Sequence, residues 1–169
     1  AGEVFDKVAR KMGLKYPGGP EISMAAEKTN YSKYKFPRPM LNSNDLNFSF
    51  SGLKTHVVRE IERTKLNNKI ISEISYDLQE SIIDILIYKS TSAAKMFDVP
   101  RIAVSGGVSA NRRLRERFKK ESQDIDVFFP SLEFSTDNGA MIAYLGYLKS
   151  NEATIDDLKI QPSPTSSVF

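Results

Sequence analysis

Ile70, Ile74, Leu78, Ile82, Ile85 and Leu86 recur every three or four residues. That spacing predicts one long amphipathic helix from about Lys69 to about Phe97, whose apolar stripe must be buried by other elements. No other stretch constrains the fold as strongly. A second, polar amphipathic helix is expected from Leu53 to Thr64, with Asn67-Asn68 as the turn between them. Two adjacent helices joined by a short turn predict a helical hairpin, a helical block over about 53–97.

Pro100 closes that block, and the pattern changes. Ile102-Ala103-Val104 is a short apolar run between Pro and Gly, which reads as a buried strand. Gly106-Gly107 follows, then a helix from Ser109 to Lys120, then a second short strand at Val127-Phe128-Phe129. Ser135-Thr136-Asp137-Asn138 opens a further helix with Met141, Ile142, Leu145 and Leu148 on its apolar face. Strand, helix, strand and helix in series predict a βα crossover and an α/β class.

Upstream of the helical block, Val4, Phe5, Val8, Ala9 and Met12 keep helical spacing over Glu3 to Leu14, and Gly13 sits where that helix should stop. Tyr16-Pro17-Gly18-Gly19-Pro20 reads as a turn able to take positive φ and to approach a ligand closely. A short helix is expected over Glu21 to Glu27. Lys28 to Asn47 is a long polar connection, and long connections in compact domains are often functional. The Pro- and Ser-containing tail after Asn151 is expected to fray.

Composition excludes several kinds of chemistry. The 169 residues include no cysteine, which removes disulfide scaffolds, iron–sulfur clusters and cysteine nucleophiles. They include one histidine, so a His-rich metal site or a Ser-His-Asp triad would have to rest on His56 alone. No apolar run approaches ~18 residues, so no membrane-spanning helix is expected. The net charge of +3 permits nucleic-acid binding without arguing for it. The opening residues Ala1 to Asp6 lack the basic and apolar regions of a signal peptide. They begin without Met, in what reads as mid-helix, so a piece of a longer protein is expected.

Four segments could carry chemistry. At Val104-Ser105-Gly106-Gly107-Val108-Ser109-Ala110-Asn111 a strand ends in two glycines and a helix begins. Unpaired amides at such a start carry partial positive charge, and ligands in α/β folds bind at such strand ends. Asn111, in the first turn, could hydrogen-bond a ribose or a base. The plainer reading is a tight turn with Ser109 as cap, and spacing alone leaves the two level. Ser135-Thr136-Asp137-Asn138-Gly139 reads first as a helix cap; one carboxylate at Asp137 does not make a metal site. Asp6 beside the Gly-rich turn could bind ribose hydroxyls, though a solvated helix acid is the commoner case. The basic run Arg112, Arg113, Arg115, Arg117, Lys119 and Lys120 could meet phosphates, but a solvated face explains such runs more often. His56 reads as a surface residue, and Phe48, Phe50 and Leu53 as core or interface.

Taken together, five segments resemble one family in order. They are Gly2-Glu3-Val4-Phe5-Asp6-Lys7-Val8-Ala9, the Tyr16 to Pro20 turn, Phe48-Ser49-Phe50-Ser51-Gly52-Leu53-Lys54-Thr55, Gly106 to Asn111, and Ser135 to Ala143. Over about residues 1–150 the chain is similar to the C-terminal half of the TsaD family, tRNA threonylcarbamoyladenosine transferases once labelled glycoproteases. The resemblance implies the C-terminal lobe of an actin/Hsp70/sugar-kinase type α/β fold, carrying the helical block as an insertion. It implies transfer of a threonylcarbamoyl group from threonylcarbamoyl-AMP to the exocyclic amine of the adenosine next to the tRNA anticodon. It also implies a divalent metal, iron or zinc, shared with an N-terminal half. Expected partners are tRNA and TsaB-like and TsaE-like subunits, in the cytoplasm and without a membrane.

Carried over by position, Asp6, Gly19 and Asn111 match adenylate-binding residues, Gly106 and Gly107 the nucleotide-side turn, and Asp137 a carboxylate metal ligand. The family's two metal-binding histidines, four residues apart, belong to the N-terminal half, and Met24 stands where Lys is common. The 169 residues alone are therefore expected to hold no tight metal and to be inactive. The rival reading is a non-catalytic truncated homologue that scaffolds partner subunits or tRNA. A metalloprotease is disfavoured, because no His pair accompanies a catalytic Glu.

Overall fold

The computed structural model describes residues 1–122 and 124–152. They divide into two compact units, Ala1–Thr136 and a second that begins at Asp137. The expected fraying of the tail lies outside the described residues from 153 onward.

The first unit opens with α1 (Gly2–Lys11), which buries Val4, Phe5, Val8 and Ala9. Its stop is as the sequence indicates. Gly13 adopts φ +75°, Leu14 N–H donates to the Ala9 carbonyl and Gly13 N–H to the Arg10 carbonyl. That pair of bonds is a Schellman cap, which needs the left-handed residue that glycine supplies. α2 (Gly18–Ala26) begins three residues earlier than expected. Gly18, Gly19 and Pro20 form its first turn, where proline is tolerated because those N–H groups have no helical acceptor. Neither glycine has the positive φ expected of the turn; among the described glycines only Gly13 and Gly106 do.

α3 (Ser51–Arg63) and α4 (Asn68–Met96) match the two expected helices. Asn67 caps α4, its side chain accepting from Ile70 N–H at 2.9 Å. The hairpin expectation fails, however. α3 packs on α1, and α4 packs chiefly on α2, so the two helices do not pair with each other. The Leu53, Val57 and Ile61 stripe packs with Val4, Phe5, Val8 and Met12 in a cluster that α4 also enters, so α3 reaches α4 through a shared core rather than as one arm of a hairpin. The helical block is therefore woven into the first unit.

α4 reaches two cores. Its first half joins the α1–α3 cluster through Ile74, Leu78 and Ile82. Its second half meets Leu114 and Phe118 of α5 (Arg112–Glu121) through Ile83 and Ile87. Ile102, Val104, Val127 and Phe129 pack against this second cluster. β1 (Arg101–Ala103) and β2 (Asp126–Phe128) pair in parallel, Ile102 opposite Val127, with α5 as the crossover. The α/β class follows, and the described residues are mostly helical with a two-stranded sheet.

Two helix starts differ from expectation. Residues Gly107–Ala110 form a separate 3₁₀ turn, and α5 begins only after Asn111, which is its N-cap. Asn111, rather than Ser109, therefore caps this helix, because only its carboxamide reaches Leu114 N–H, at 2.9 Å. In the second unit α6 (Gly139–Leu148) is capped by Asn138, which accepts from Met141 N–H at 3.0 Å, rather than by Ser135 or Thr136. Its sequence is apolar or small all round, without the polar face of an amphipathic helix.

Candidate functional site

Three separate stretches converge on one cleft of about 760 Å³ in the first unit. Asp6 comes from α1, Gly19 from the first turn of α2, and Gly106, Gly107 and Asn111 from the segment joining β1 to α5. All five line the cleft; Pro17, Pro20, Met24, Leu86 and Val108 supply its apolar wall. The site is concave, largely apolar and carries a few fixed polar groups, the usual character of a small-molecule site. Asp137, the sixth residue singled out from the sequence, lies in the second unit, directly before the cap of α6.

The local folding explains each position. Asp6 accepts a hydrogen bond from Gly18 N–H at 2.8 Å, which satisfies an unpaired amide at the start of α2 and ties α1 to α2. Gly18 is obligatory there. A Cβ at Gly18 would stand 2.6 Å from Asp6 Cα, 2.7 Å from the Phe5 carbonyl oxygen and 2.8 Å from Ala9 Cβ. A Cβ at Gly19 would meet nothing within 4 Å, as would one at Gly107. Gly106 has φ +84°, the left-handed conformation that lets the chain turn sharply out of β1.

Arg115 holds this turn from behind. Its Nε donates to the Ser109 carbonyl at 2.7 Å, and its Nη2 to the Pro130 carbonyl at 2.8 Å and to Ser135 Oγ at 3.1 Å. Its guanidinium also lies 5.0 Å from the Phe129 ring centre. One side chain thus ties the segment after β1 to the segment after β2. The sequence placed Arg115 in a solvated basic face, and most of that face is not free. Arg113 pairs with Glu80 at 2.7 Å; Arg117 bonds Asp84 at 2.5 Å, Glu121 at 2.6 Å and Glu80 at 3.2 Å; Arg112 pairs with Glu116 at 2.9 Å. Burial works against the Arg117 charge, but hydrogen bonds and charges from Glu121 and Asp84 outweigh it and hold the guanidinium above its ordinary value. Such a face is largely neutralised and is a poor phosphate site.

Arg38 shares the Asp84 carboxylate with Arg117, bonding it at 2.9 Å, and lies 3.5 Å from Asp77. Asp77 also accepts from Phe36 N–H at 2.5 Å. Burial raises its carboxyl above the usual range, with Phe36 N–H and Arg38 acting in the opposite sense. His56 is exposed as expected, though not without a neighbour: its ring stands edge-on to Phe36, centres 5.9 Å apart. Leu53 is core, while Phe48 is half exposed and stacks on Phe50.

Two polar residues escaped the sequence reading. Ser23 of α2 and Gln79 of α4 surround the Asn111 carboxamide. Asn111 Nδ2 donates to Ser23 Oγ at 2.9 Å and to Gln79 Oε1 at 2.8 Å. Ser23 Oγ donates to Gln79 Oε1 at 3.0 Å. No sequence signal marks either residue, because their partners are distant along the chain.

Among the described residues no group of three or more His, Asp or Glu side chains could hold a metal ion. No helix among these residues is long and apolar enough to cross a membrane.

Residues 1–144 match the family model described as TsaD: tRNA N6-adenosine threonylcarbamoyltransferase. Curated relatives with the same name include one from Buchnera aphidicola subsp. Acyrthosiphon pisum, 44% identical over 99% of this chain and 51% of its own length. A relative from Thermosipho africanus is 43% identical over 99% of this chain and 52% of its own. One from Nitrosomonas eutropha is 46% identical over 88% of this chain and 45% of its own. The chain spans about half the length of the curated relatives it matches.

Proposed function

Because the chain belongs to the TsaD family, we propose that it is the C-terminal part of a tRNA N6-adenosine threonylcarbamoyltransferase. The reaction is acyl transfer. The exocyclic amine of the adenosine beside the anticodon attacks the carbamoyl carbon of threonylcarbamoyl-AMP. A carbon–nitrogen bond forms, the bond from that carbon to the phosphate oxygen breaks, AMP leaves with the electron pair, and the amine loses a proton.

The observation that carries this reading is the convergence of Asp6, Gly19, Gly106, Gly107 and Asn111 on one cleft. In the proposal these residues bind the adenylate half of the donor. Gly19 and Gly107 leave open space beside the backbone, so a sugar or phosphate can come within contact distance. Asp6 is an acceptor for ribose hydroxyls, although it already holds Gly18 N–H. The apolar wall excludes water from the adenine, and holding the adenylate fixed leaves its acyl carbon in one place for attack.

Asp137 supplies one carboxylate to an iron or zinc ion whose remaining ligands come from outside this chain; when bound, that metal acts as a Lewis acid. Its partners are tRNA and subunits resembling TsaB and TsaE, and the setting is the cytoplasm. The N-terminal half completes the adenylate site, so the 169 residues alone are inactive.

The test is modification of unmodified tRNA by the complete gene product supplied with threonylcarbamoyl-AMP, read by mass spectrometry of digested nucleosides. Threonylcarbamoyladenosine should form. Gly107→Val, which fills the space beside the turn, should slow it by tenfold or more. A soluble, folded gene product that binds neither AMP nor tRNA would refute the reading.

A further inference from the structure

An asparagine that binds a ligand can present an amide donor, a carbonyl acceptor, or both. Which it presents depends on what holds its carboxamide, and here three elements do. Asn111 Oδ1 already accepts from Leu114 N–H at 2.9 Å as the cap of α5. Its Nδ2 has two protons, and both are taken, by Ser23 Oγ at 2.9 Å and by Gln79 Oε1 at 2.8 Å. Ser23 Oγ donates in turn to Gln79 Oε1 at 3.0 Å, which closes a three-residue ring.

The ring has one consistent orientation. Turning the Asn111 amide over would set its NH₂ against Leu114 N–H and its oxygen against Gln79 Oε1, losing both of those bonds, and Ser23 could donate to the turned oxygen only by giving up Gln79. Gln79 is 4% exposed, and its Oε1 accepts from both Asn111 and Ser23. What remains to a molecule in the cleft is the second lone pair of Asn111 Oδ1. The residue is thereby restricted to accepting.

We infer that Gln79, with Ser23, is a positioning residue that locks Asn111 as a pure acceptor, so that the cleft selects a ligand with a hydroxyl donor at that point. This rests on the proposal that the cleft binds an adenylate, whose ribose supplies such a hydroxyl. Gln79 does not line the cleft; it acts through Asn111. Ser23 stands in the wall of the cleft, and in that of a second, polar cavity of about 360 Å³ that Gln79 also lines. The ring is thus a partition between two spaces, placed where it can set the polarity of one of them.

The experiment uses the complete gene product and titrates AMP, 2′-deoxy-AMP and 3′-deoxy-AMP by calorimetry. The wild type should prefer AMP to at least one deoxy analogue by about tenfold, the worth of one well-placed hydrogen bond. Asn111→Ala should abolish that preference, and Gln79→Leu should do the same while leaving the binding of that deoxy analogue within about twofold. Combining the two should add nothing to either, since both remove one effect. Gln79→Glu keeps an acceptor for Asn111 and Ser23 and should restore the preference. Without ligand, the Asn111 side-chain NH₂ resonances should exchange slowly in the wild type and quickly in Gln79→Leu.

Three results would overturn the inference: an unchanged preference in Gln79→Leu, equal weakening of AMP and its deoxy analogues, or a Gln79→Leu effect that persists on top of Asn111→Ala. If the wild type binds no AMP, the adenylate reading falls, and the lock is then judged on exchange alone: fast exchange in the wild type refutes it, slow exchange abolished by Gln79→Leu upholds it.

Discussion

Gly18 and Gly19 are neighbours in the same first turn of α2, yet they should respond oppositely to alanine. At Gly18 the added methyl would stand 2.6 Å from Asp6 Cα and 2.7 Å from the Phe5 carbonyl oxygen. Both are helix backbone, which cannot rotate away as a side chain can. α1 and α2 must separate by roughly 1 Å to reach ordinary contact, and overpacking of this kind costs about 2–3 kcal/mol. Separation also stretches the 2.8 Å bond from Gly18 N–H to Asp6, worth about 1 kcal/mol more. For a chain of this size each kcal/mol lowers the melting temperature by about 2–4 °C, so Gly18→Ala should melt about 6–16 °C below the wild type. Gly19→Ala meets nothing within 4 Å and replaces a helical glycine, so it should be neutral or gain up to about 1 kcal/mol. Its methyl, however, enters the cleft and should weaken AMP binding. Thermal melts by circular dichroism with AMP titrations separate the two variants. A Gly18→Ala protein that melts within about 1 °C of the wild type would refute the close-packing argument.

Arg115→Met removes every donor to the Ser109 and Pro130 carbonyls and Ser135 Oγ; a loss of about 2–3 kcal/mol and weaker AMP binding are expected, read by urea titration and calorimetry. Asp77→Asn tests the sign of a pKa shift. The folded chain holds the Asp77 proton more tightly than the unfolded chain does. Its contribution is therefore fully present below the ordinary carboxylate value of about 3.9 and is lost as pH rises through the raised folded value. Asp77→Asn should gain stability relative to wild type at neutral pH, and the difference should shrink on acidification; melts across that range would show a constant difference if the reasoning is wrong. Lys89 is 1% exposed, and its ammonium donates to Ser43 Oγ at 2.7 Å and to the Asp45 carbonyl at 2.6 Å. Lys89→Met should release the 40–47 segment, seen as faster limited proteolysis there with about 1–3 kcal/mol lost.

What could be read from the sequence was what local physics decides. The period of Ile70 to Leu86 sets α4, and Gly13 ends α1, because burial periodicity and a left-handed cap are properties of a few neighbouring residues. The parallel pair β1–β2 followed from a βα crossover whose handedness and order are general. Failures came where a distant partner decides. Asn111 looked like a first-turn residue until a 3₁₀ turn displaced the start of α5 and made it the cap. Gln79 sits among apolar α4 residues and shows its role only through Asn111. Arg113 and Arg117 looked solvated, although one signal was available. Glu80 and Asp84 repeat on α4 with the same i,i+4 spacing as Arg113 and Arg117 on α5, and two such ladders of opposite sign fit one another.

That pairing bears on what the ladder is for. Arg117, Glu80 and Asp84 are mostly covered, their side chains 16%, 13% and 28% exposed. Charges in such places lose much of their hydration, so the net stability from the pairs is small even though breaking one partner is costly. Their effect is on register. α5 touches α4 through Leu114 and Phe118, two apolar residues one turn apart that would tolerate a slide. The Arg113–Glu80 and Arg117–Asp84 pairs do not, because a one-turn slip could keep only one Arg–carboxylate pair and would leave the other Arg and the other acid without a partner, which is costly where both are partly covered. Register fixes where the start of α5 falls, and Asn111 is that start. Gln79 is the residue before Glu80, so the ion pairs that align the helices also bring its carboxamide to Asn111. The placement of a ligand-facing side chain at the cleft thus depends on charges on the other side of its own helix that never face the ligand.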